Sequence, residues 1–450
     1  MRKNTGLLIL AFFFACRGDP ATENLDHGVA AQIDEYMKAA TELGRFSGSI
    51  LVAQEGKVVI SKGYGFANLE HGIPNTPETK FRIGSITKQF TAMAIMILQE
   101  TGSLNVQDRV CEYLTNCPEA WRQITIHHLL TMTSGIPNFQ NFPDNERYER
   151  LPTTAEATIE RFRDKPLEFT PGEQFSYTSS GYVLLGHIIE QVSGLRYEDF
   201  LTQQVFQPLR MQNSGYDHPH TVLKNRAAGY GKQGTRPINA VHFEMDTPHA
   251  AGALYSTVED LFLWDQALYT EKLISKSSLE TMFTVFREPY AYGWIVADSF
   301  GHKMVTHSGT ISGFRAAIAR FPEEKVCLIV LSNIEEAYTQ LTTDLAAIVF
   351  GEDYEIPRVP DTVRIDPNTL DQYVGKYRFG EYWDIMITKE DERLMIHLFP
   401  GSRSYYEIHH ESDSQFFVKE LGFSFTLSRN DEERITHIVM NQGREFKKVE

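Results

Sequence analysis

Phe81-Arg-Ile-Gly-Ser85-Ile-Thr-Lys88-Gln-Phe-Thr-Ala-Met-Ala-Ile-Met-Ile-Leu-Gln-Glu100 is the stretch from which the rest of the chain is read. From Ser85 onward it is rich in Ala, Met and Ile and is closed by Gly102, which predicts a well-buried helix over 85–100. Ser85 and Lys88, three residues apart on that helix, share a face, so the ammonium reaches the hydroxyl. A serine hydroxyl is a poor nucleophile until a neighbour takes its proton. Free amides and the dipole at a helix N-terminus favour the negative charge that develops during attack. Alone the pair says little, because a Ser-x-x-Lys arises by chance and a serine at a helix start is more often an N-cap.

Outward from this helix, Ser49–Gln54 and Val58–Gly63 alternate like strands and meet at Glu55-Gly56, a hairpin signal. Before them, Leu25 to Leu43 carries Ile33, Tyr36, Met37 and Ala40 at helical spacing. After the helix, Ile124–Met132 and Tyr182–Val192 read as further helices, the second ended by Ser193-Gly194. Strand-like runs return at Arg315–Phe321 and Val326–Leu331 around Pro322-Glu323-Glu324, and Leu341–Phe350 closes the region as a helix. Strand pairs at both ends with helices between predict an α+β fold, an α/β/α sandwich whose central antiparallel sheet gathers both termini.

Residues 351–367, with Pro357, Pro360 and Pro367, form a linker. Beyond it, 368–450 contains short alternating runs such as Trp383–Ile387, Leu394–Leu398 and Phe416–Val418, which predict a small all-β barrel. The other end carries an address. Arg2 and Lys3 precede an apolar run of nine residues, Leu7–Ala15, too short to cross a bilayer and suited to a signal peptide over 1–16. Ala15-Cys16 resembles a bacterial lipoprotein signal with Cys16 as the lipidated residue, although Phe13 stands where Leu is usual; the other reading is a plain secretory signal cleaved nearby. Either reading sends the protein to the periplasm or outer membrane, with 17–24 as a tether and 25–350 as the main domain. Cys327 reads as a core thiol. Cys111 and Cys117 would lie roughly 9 Å apart on a straight helix, so a bridge between them requires a bend. No cysteine pattern suggests a metal, and no cofactor is expected. The net charge of −16 over 450 residues excludes a nucleic-acid backbone as partner and fits a soluble acidic surface.

There is no Gly-x-Ser-x-Gly elbow, His-Glu-x-x-His motif or phosphate-cradling glycine loop. Two further stretches accompany Ser85 and Lys88 instead. Pro171-Gly172 leads into Phe175-Ser-Tyr177-Thr-Ser179-Ser-Gly181, with a tyrosine just ahead of an apolar helix. His307-Ser308-Gly309-Thr310 leads through Gly313-Phe314 into a strand. Together, in this order, the three stretches resemble the motifs of the penicillin-recognising serine hydrolases: class C β-lactamases, D-alanyl-D-alanine carboxypeptidases and related esterases. Ile124–Pro137 looks like a landmark bordering their cleft. Tyr373-Val-Gly-Lys-Tyr377 looks like the opening of the lipocalin-like domain appended to some members.

The resemblance, which spans most of residues 30–350, implies a β-lactamase/transpeptidase-like fold and an acyl-enzyme on Ser85, with Tyr177 and Lys88 sharing its proton. It implies an oxyanion hole from the amides of Ser85 and Thr310, with His307, Ser308, Gly309 and Ser179 against the substrate. Gly309 would let a substrate backbone lie on the strand edge. Expected substrates are a small ester, a peptidoglycan-like D-amino-acid peptide or a β-lactam. Ser179 stands where peptidases and β-lactamases of this type carry Asn, which favours esters. The rival reading is a non-catalytic sensor or scaffold that keeps the fold.

Overall fold

A computed structural model describes residues 20–450, apart from 234–235, 336–339, 360–361, 364–365, 380–382, 398–404, 413, 420–422, 431, 433, 441–444 and 450. Cys16 and the expected signal segment lie outside the described residues.

The hairpin expected at Glu55-Gly56 joins β1 (Gly48–Gln54) to β2 (Lys57–Tyr64), with both turn residues at positive φ, 50° and 75°. Four strands from the far end of the domain complete the sheet: β3 (Ile295–Ser299), β4 (His302–Ile311), β5 (Phe314–Phe321) and β6 (Val326–Ser332). The order is β3-β4-β5-β6-β1-β2, antiparallel throughout, so β1 pairs with β6 across nearly the whole domain (Ile50 opposite Val330). Both faces are covered, and the side chains sort by parity as a pleat requires. Leu51, Ala53, Cys327, Ile329 and Leu331 enter the larger core. Ile50, Val52, Val326, Leu328 and Val330 enter the smaller one, beneath helices α1 (Pro20–Glu42) and α4 (Leu341–Phe350). Helix α1 begins at Pro20 rather than Leu25, so the described part of the expected tether, 20–24, is helical; proline is well suited to a first turn, where its missing N–H is not needed.

The larger core lies between the sheet and the helices read around the motifs, α2 (Thr87–Glu100) and α3 (Ser179–Ser193). Helix α3 is capped by the Thr178 hydroxyl and ends at Gly194 with φ 69°. Further helices at Ala155–Arg163, Val258–Ala267 and Lys276–Met282, each capped by a Thr or Ser side chain, fill the same layer. Cys111 and Cys117 are bridged, with Cα atoms 5.3 Å apart. The bend that permits it is a single 3-10 turn, Val110–Glu112, in place of a straight helix.

Residues 375–448 form eight antiparallel strands, Gly375–Phe379 through Glu445–Lys448. They close into a barrel because the first pairs with the last, Tyr377 opposite Lys448. It has its own aromatic and aliphatic core, including Tyr377, Ile396, Phe416, Phe425 and Phe446.

Candidate active site

Gly84 has φ +50°, which turns the chain out of the short strand Phe81–Arg82 into a 3-10 turn, Gly84–Ile86, that runs on into α2. Ser85 sits within that turn, and no side chain caps the helix start, so its hydroxyl is not used as an N-cap. One turn on, Lys88 is fully buried at 0% exposure. Its Nζ donates to Ser85 Oγ at 3.0 Å and to the Ala251 carbonyl at 2.9 Å, and lies 3.5 Å from Ser179 Oγ. Among the described residues no carboxylate comes within ion-pair distance of it. A buried amine held only by neutral oxygens, one of them a serine hydroxyl, is placed to exchange that hydroxyl's proton.

Three residues on one flank of α2 bind the segment 248–254. Thr91 Oγ1 donates to the Ala250 carbonyl at 2.6 Å, Lys88 to that of Ala251, and the Leu254 amide donates to Thr87 Oγ1 at 3.2 Å. The Ala251 carbonyl is the functional group that sequence reading missed. A backbone oxygen carries no side-chain signature, and Pro248-His-Ala-Ala-Gly252 offers none.

Tyr177 and Ser179 flank the N-cap of α3. Ser179 is buried with its hydroxyl toward Lys88, and its amide donates to Asn138 Oδ1 at 3.3 Å. Tyr177 is 38% exposed, with its ring over the lysine, 5.1 Å from Nζ to the centroid. Among the described residues no hydrogen bond joins the Tyr177 hydroxyl to Ser85 or Lys88, so the site holds the tyrosine by its ring.

The third motif lies on β4, where parity separates residues that the motif lists together. His307 faces the site layer but is only 2% exposed, beneath Tyr177 (ring centroids 6.3 Å apart), with Nδ1 2.6 Å from the Ser308 carbonyl and Nε2 3.2 Å from the Tyr290 hydroxyl. Burial, reinforced by the charge of Lys88, pushes its pKa down to about 3. His307 thus lies within the cluster as a buried side chain beneath Tyr177. Ser308 points the other way. Its side chain lines a cavity of about 270 Å³ on the opposite face of the sheet, with Met304, Thr306 and Leu341. Gly309 is required, for a reason other than substrate approach: a Cβ there would lie 2.0 Å from the Ile83 carbonyl and 2.9 Å from Ser85 N. A Cβ on Gly84 would likewise lie 2.9 Å from Thr310 N. Two glycines thus let the Ser85 turn and the Thr310 strand pack backbone to backbone, with the amides of both residues in one small space.

Among the described residues one group could hold a metal ion, Glu156, His187 and Glu190, and none of them belongs to this cluster. A sheet-and-helix sandwich that places a serine hydroxyl against a buried lysine at a helix start is the arrangement of one class of serine hydrolases that work through an acyl-enzyme. The chain belongs to the β-lactamase family: the profile described as Beta-lactamase matches residues 29–350, and one described as a domain of unknown function (DUF3471) matches 359–449. It is a hydrolase of that family. A penicillin-binding protein of Bacillus subtilis (strain 168) is 29% identical over 441 residues, 91% of this chain and 96% of that one. Among solved structures, an octameric penicillin-binding protein homologue from Pyrococcus abyssi is 28% identical, with TM-score 0.66 over 93% of this chain and 99% of that one. A penicillin-binding protein from Bacillus halodurans is 26% identical, with TM-score 0.61 over 70% and 98% respectively.

Proposed function

We propose that the protein hydrolyses small esters through an acyl-enzyme on Ser85, and the 3.0 Å contact of Ser85 Oγ with the buried Lys88 carries this reading. Lys88, with Tyr177 over it, takes the proton as Ser85 Oγ bonds to the acyl carbon. The carbonyl oxygen becomes an oxyanion between the amides of Ser85 and Thr310. When that oxygen reforms its double bond, the alkoxide leaves and takes the proton from the same pair. Water repeats the sequence: its oxygen bonds to the acyl carbon, its proton passes to the pair and then to Ser85 Oγ, and the free acid departs.

Ser179 supports the ester over the amide. Its hydroxyl is turned inward to Lys88, leaving no carboxamide at this position to hold a substrate amide. A second reading, a D-amino-acid peptide or β-lactam as substrate, draws on the relatives named as penicillin-binding proteins. Intact-mass detection of a covalent adduct, phosphonyl from a fluorophosphonate and acyl from a penicillin, a D-Ala-D-Ala peptide or a short-chain ester, tests both. The wild type should gain the fluorophosphonate and turn over the ester, and Ser85→Ala should do neither while remaining folded. Labelling of the alanine variant would remove Ser85 from the reaction, and turnover of the peptide as efficient as that of the ester would put the second reading first.

A further inference from the structure

We propose that Tyr290 is the positioning residue of this site: its hydroxyl donates to His307 Nε2, fixes that imidazole as the neutral Nδ1–H tautomer, and its ring holds Tyr177 over Lys88. The inference rests on the reading of Ser85, Lys88 and Tyr177 given above. Tyr290 lies outside all three motifs, in Glu288-Pro-Tyr-Ala-Tyr-Gly293 ahead of β3, and it is fully buried.

The tautomer follows from the partners. His307 Nδ1 faces the Ser308 carbonyl at 2.6 Å, and a carbonyl only accepts, so Nδ1 carries the hydrogen. A neutral imidazole has one N–H, so Nε2 is an acceptor, and the Tyr290 hydroxyl 3.2 Å away is the donor. The groups facing this imidazole are Lys88 from α2, Tyr177 ahead of α3 and Tyr290; Tyr182 from α3, whose own proton goes to the Leu130 carbonyl at 2.9 Å, is a second side-chain hydrogen-bond partner of Tyr290. None is a carboxylate that would hold an imidazolium. Burial, with Tyr182 and Tyr177 beside it, pushes the Tyr290 phenol well up, so it keeps its proton and remains a donor.

The same side chain shapes the tyrosine above. Tyr177 meets Tyr290 edge to face, with centroids 6.0 Å apart and planes at 82°, and the Tyr290 ring also meets Phe175 at 5.8 Å and His307 at 5.9 Å. Because no hydrogen bond fixes Tyr177 to Ser85 or Lys88, these ring contacts set where its hydroxyl hangs. One consequence concerns substrate class. With both nitrogens engaged, His307 has no proton to offer a substrate carboxylate, so acyl donors uncharged at that end are the ones that fit.

Nitrogen-15 NMR of histidine-labelled full-length protein at neutral pH tests the tautomer directly, with His307→Gln identifying the signal. The wild type should show His307 as neutral Nδ1–H with a hydrogen-bonded Nε2. Tyr290→Phe keeps the ring and removes the donor: the Nε2 resonance should move to that of an unbonded nitrogen. kcat for a neutral ester should fall on the order of threefold to tenfold, the range one net hydrogen bond spans, with KM nearly unchanged. His307→Gln should alter KM equally for an ester with and without a free carboxylate. An Nε2–H tautomer or an imidazolium in the wild type overturns the proposal, even should the Phe variant not fold. So does a Phe variant with unmoved Nε2 shift and kcat, or a KM rise confined to carboxylated esters in His307→Gln. Failure of the Ser85 reading would show separately, as fluorophosphonate labelling of Ser85→Ala.

Discussion

Lys88 shows how far a single residue can be read. Its spacing from Ser85 follows from helix geometry alone, and the two are in contact as that geometry requires. What spacing cannot show is the remainder of its shell, since the Ala251 carbonyl arrives from a segment 163 positions away and bears no chemical mark in the sequence. The third motif divides by parity: successive residues of a strand face opposite ways, so His307 lies beside Lys88 and Tyr177 while Ser308 falls on the far side of the sheet. Asn in place of Ser179 would project a carboxamide donor and acceptor past Lys88 toward the bound acyl group. One added hydrogen bond to an amide substrate is worth about 0.5–1.5 kcal/mol. The ratio of kcat/KM for a D-amino-acid amide to that for a matched ester should therefore rise on the order of threefold to tenfold in Ser179→Asn. An unchanged ratio from steady-state kinetics would show that Ser179 does not set this preference.

Elements were legible in proportion to how strongly their pattern repeats. Helix α4 occupies the residues its apolar run marks, Leu341–Phe350, and the β1–β2 turn falls on Glu55-Gly56, because a two-residue turn at positive φ needs such a pair. Strand β3 escaped because Ile-Val-Ala-Asp-Ser is short, half-buried and at the sheet edge, where one side of the ladder imposes no pattern. The packing of α1 on α4 hides an ionisable group between the two ends of the domain. Asp344 of α4 accepts a hydrogen bond from Tyr36 of α1, and burial raises its pKa to about 6. A raised carboxyl pKa means that the folded state binds this proton more tightly than the unfolded chain does. The stabilisation is fully present below about pH 4 and is lost as pH rises through about 6. Asp344→Asn keeps an acceptor for Tyr36 and removes the titration. Denaturant unfolding should show the wild type losing on the order of 1–3 kcal/mol between pH 4 and 8 relative to the variant, with equal pH slopes ruling the effect out.

At the scale of the whole molecule, the barrel reads from sequence as alternation, and alternation is what a closed antiparallel sheet needs. Its attachment does not read at all: one side chain that contributes to it reaches two carbonyls more than 300 residues away. Arg45, immediately before β1 and only 5% exposed, donates from Nη2 to the Arg358 carbonyl and from Nε to the Lys419 carbonyl, each at 3.1 Å. The first lies in the proline-bearing segment after α4, the second in the barrel just past the strand Gln415–Val418. The barrel closes on itself and has its own core, so its folding does not need this contact, which ties it to the main domain. Losing the guanidinium's hydrogen bonds to two part-buried carbonyls costs on the order of 1–3 kcal/mol. Arg45→Ala should thus free the barrel without unfolding it: protease should cut within 351–366 several-fold faster than in the wild type, and calorimetry should resolve a separate barrel transition. Fluorophosphonate labelling of Ser85 should keep its rate, since the serine turn is held by α2 and β4. Unchanged proteolysis and a single merged transition would mean that the barrel is docked by other contacts.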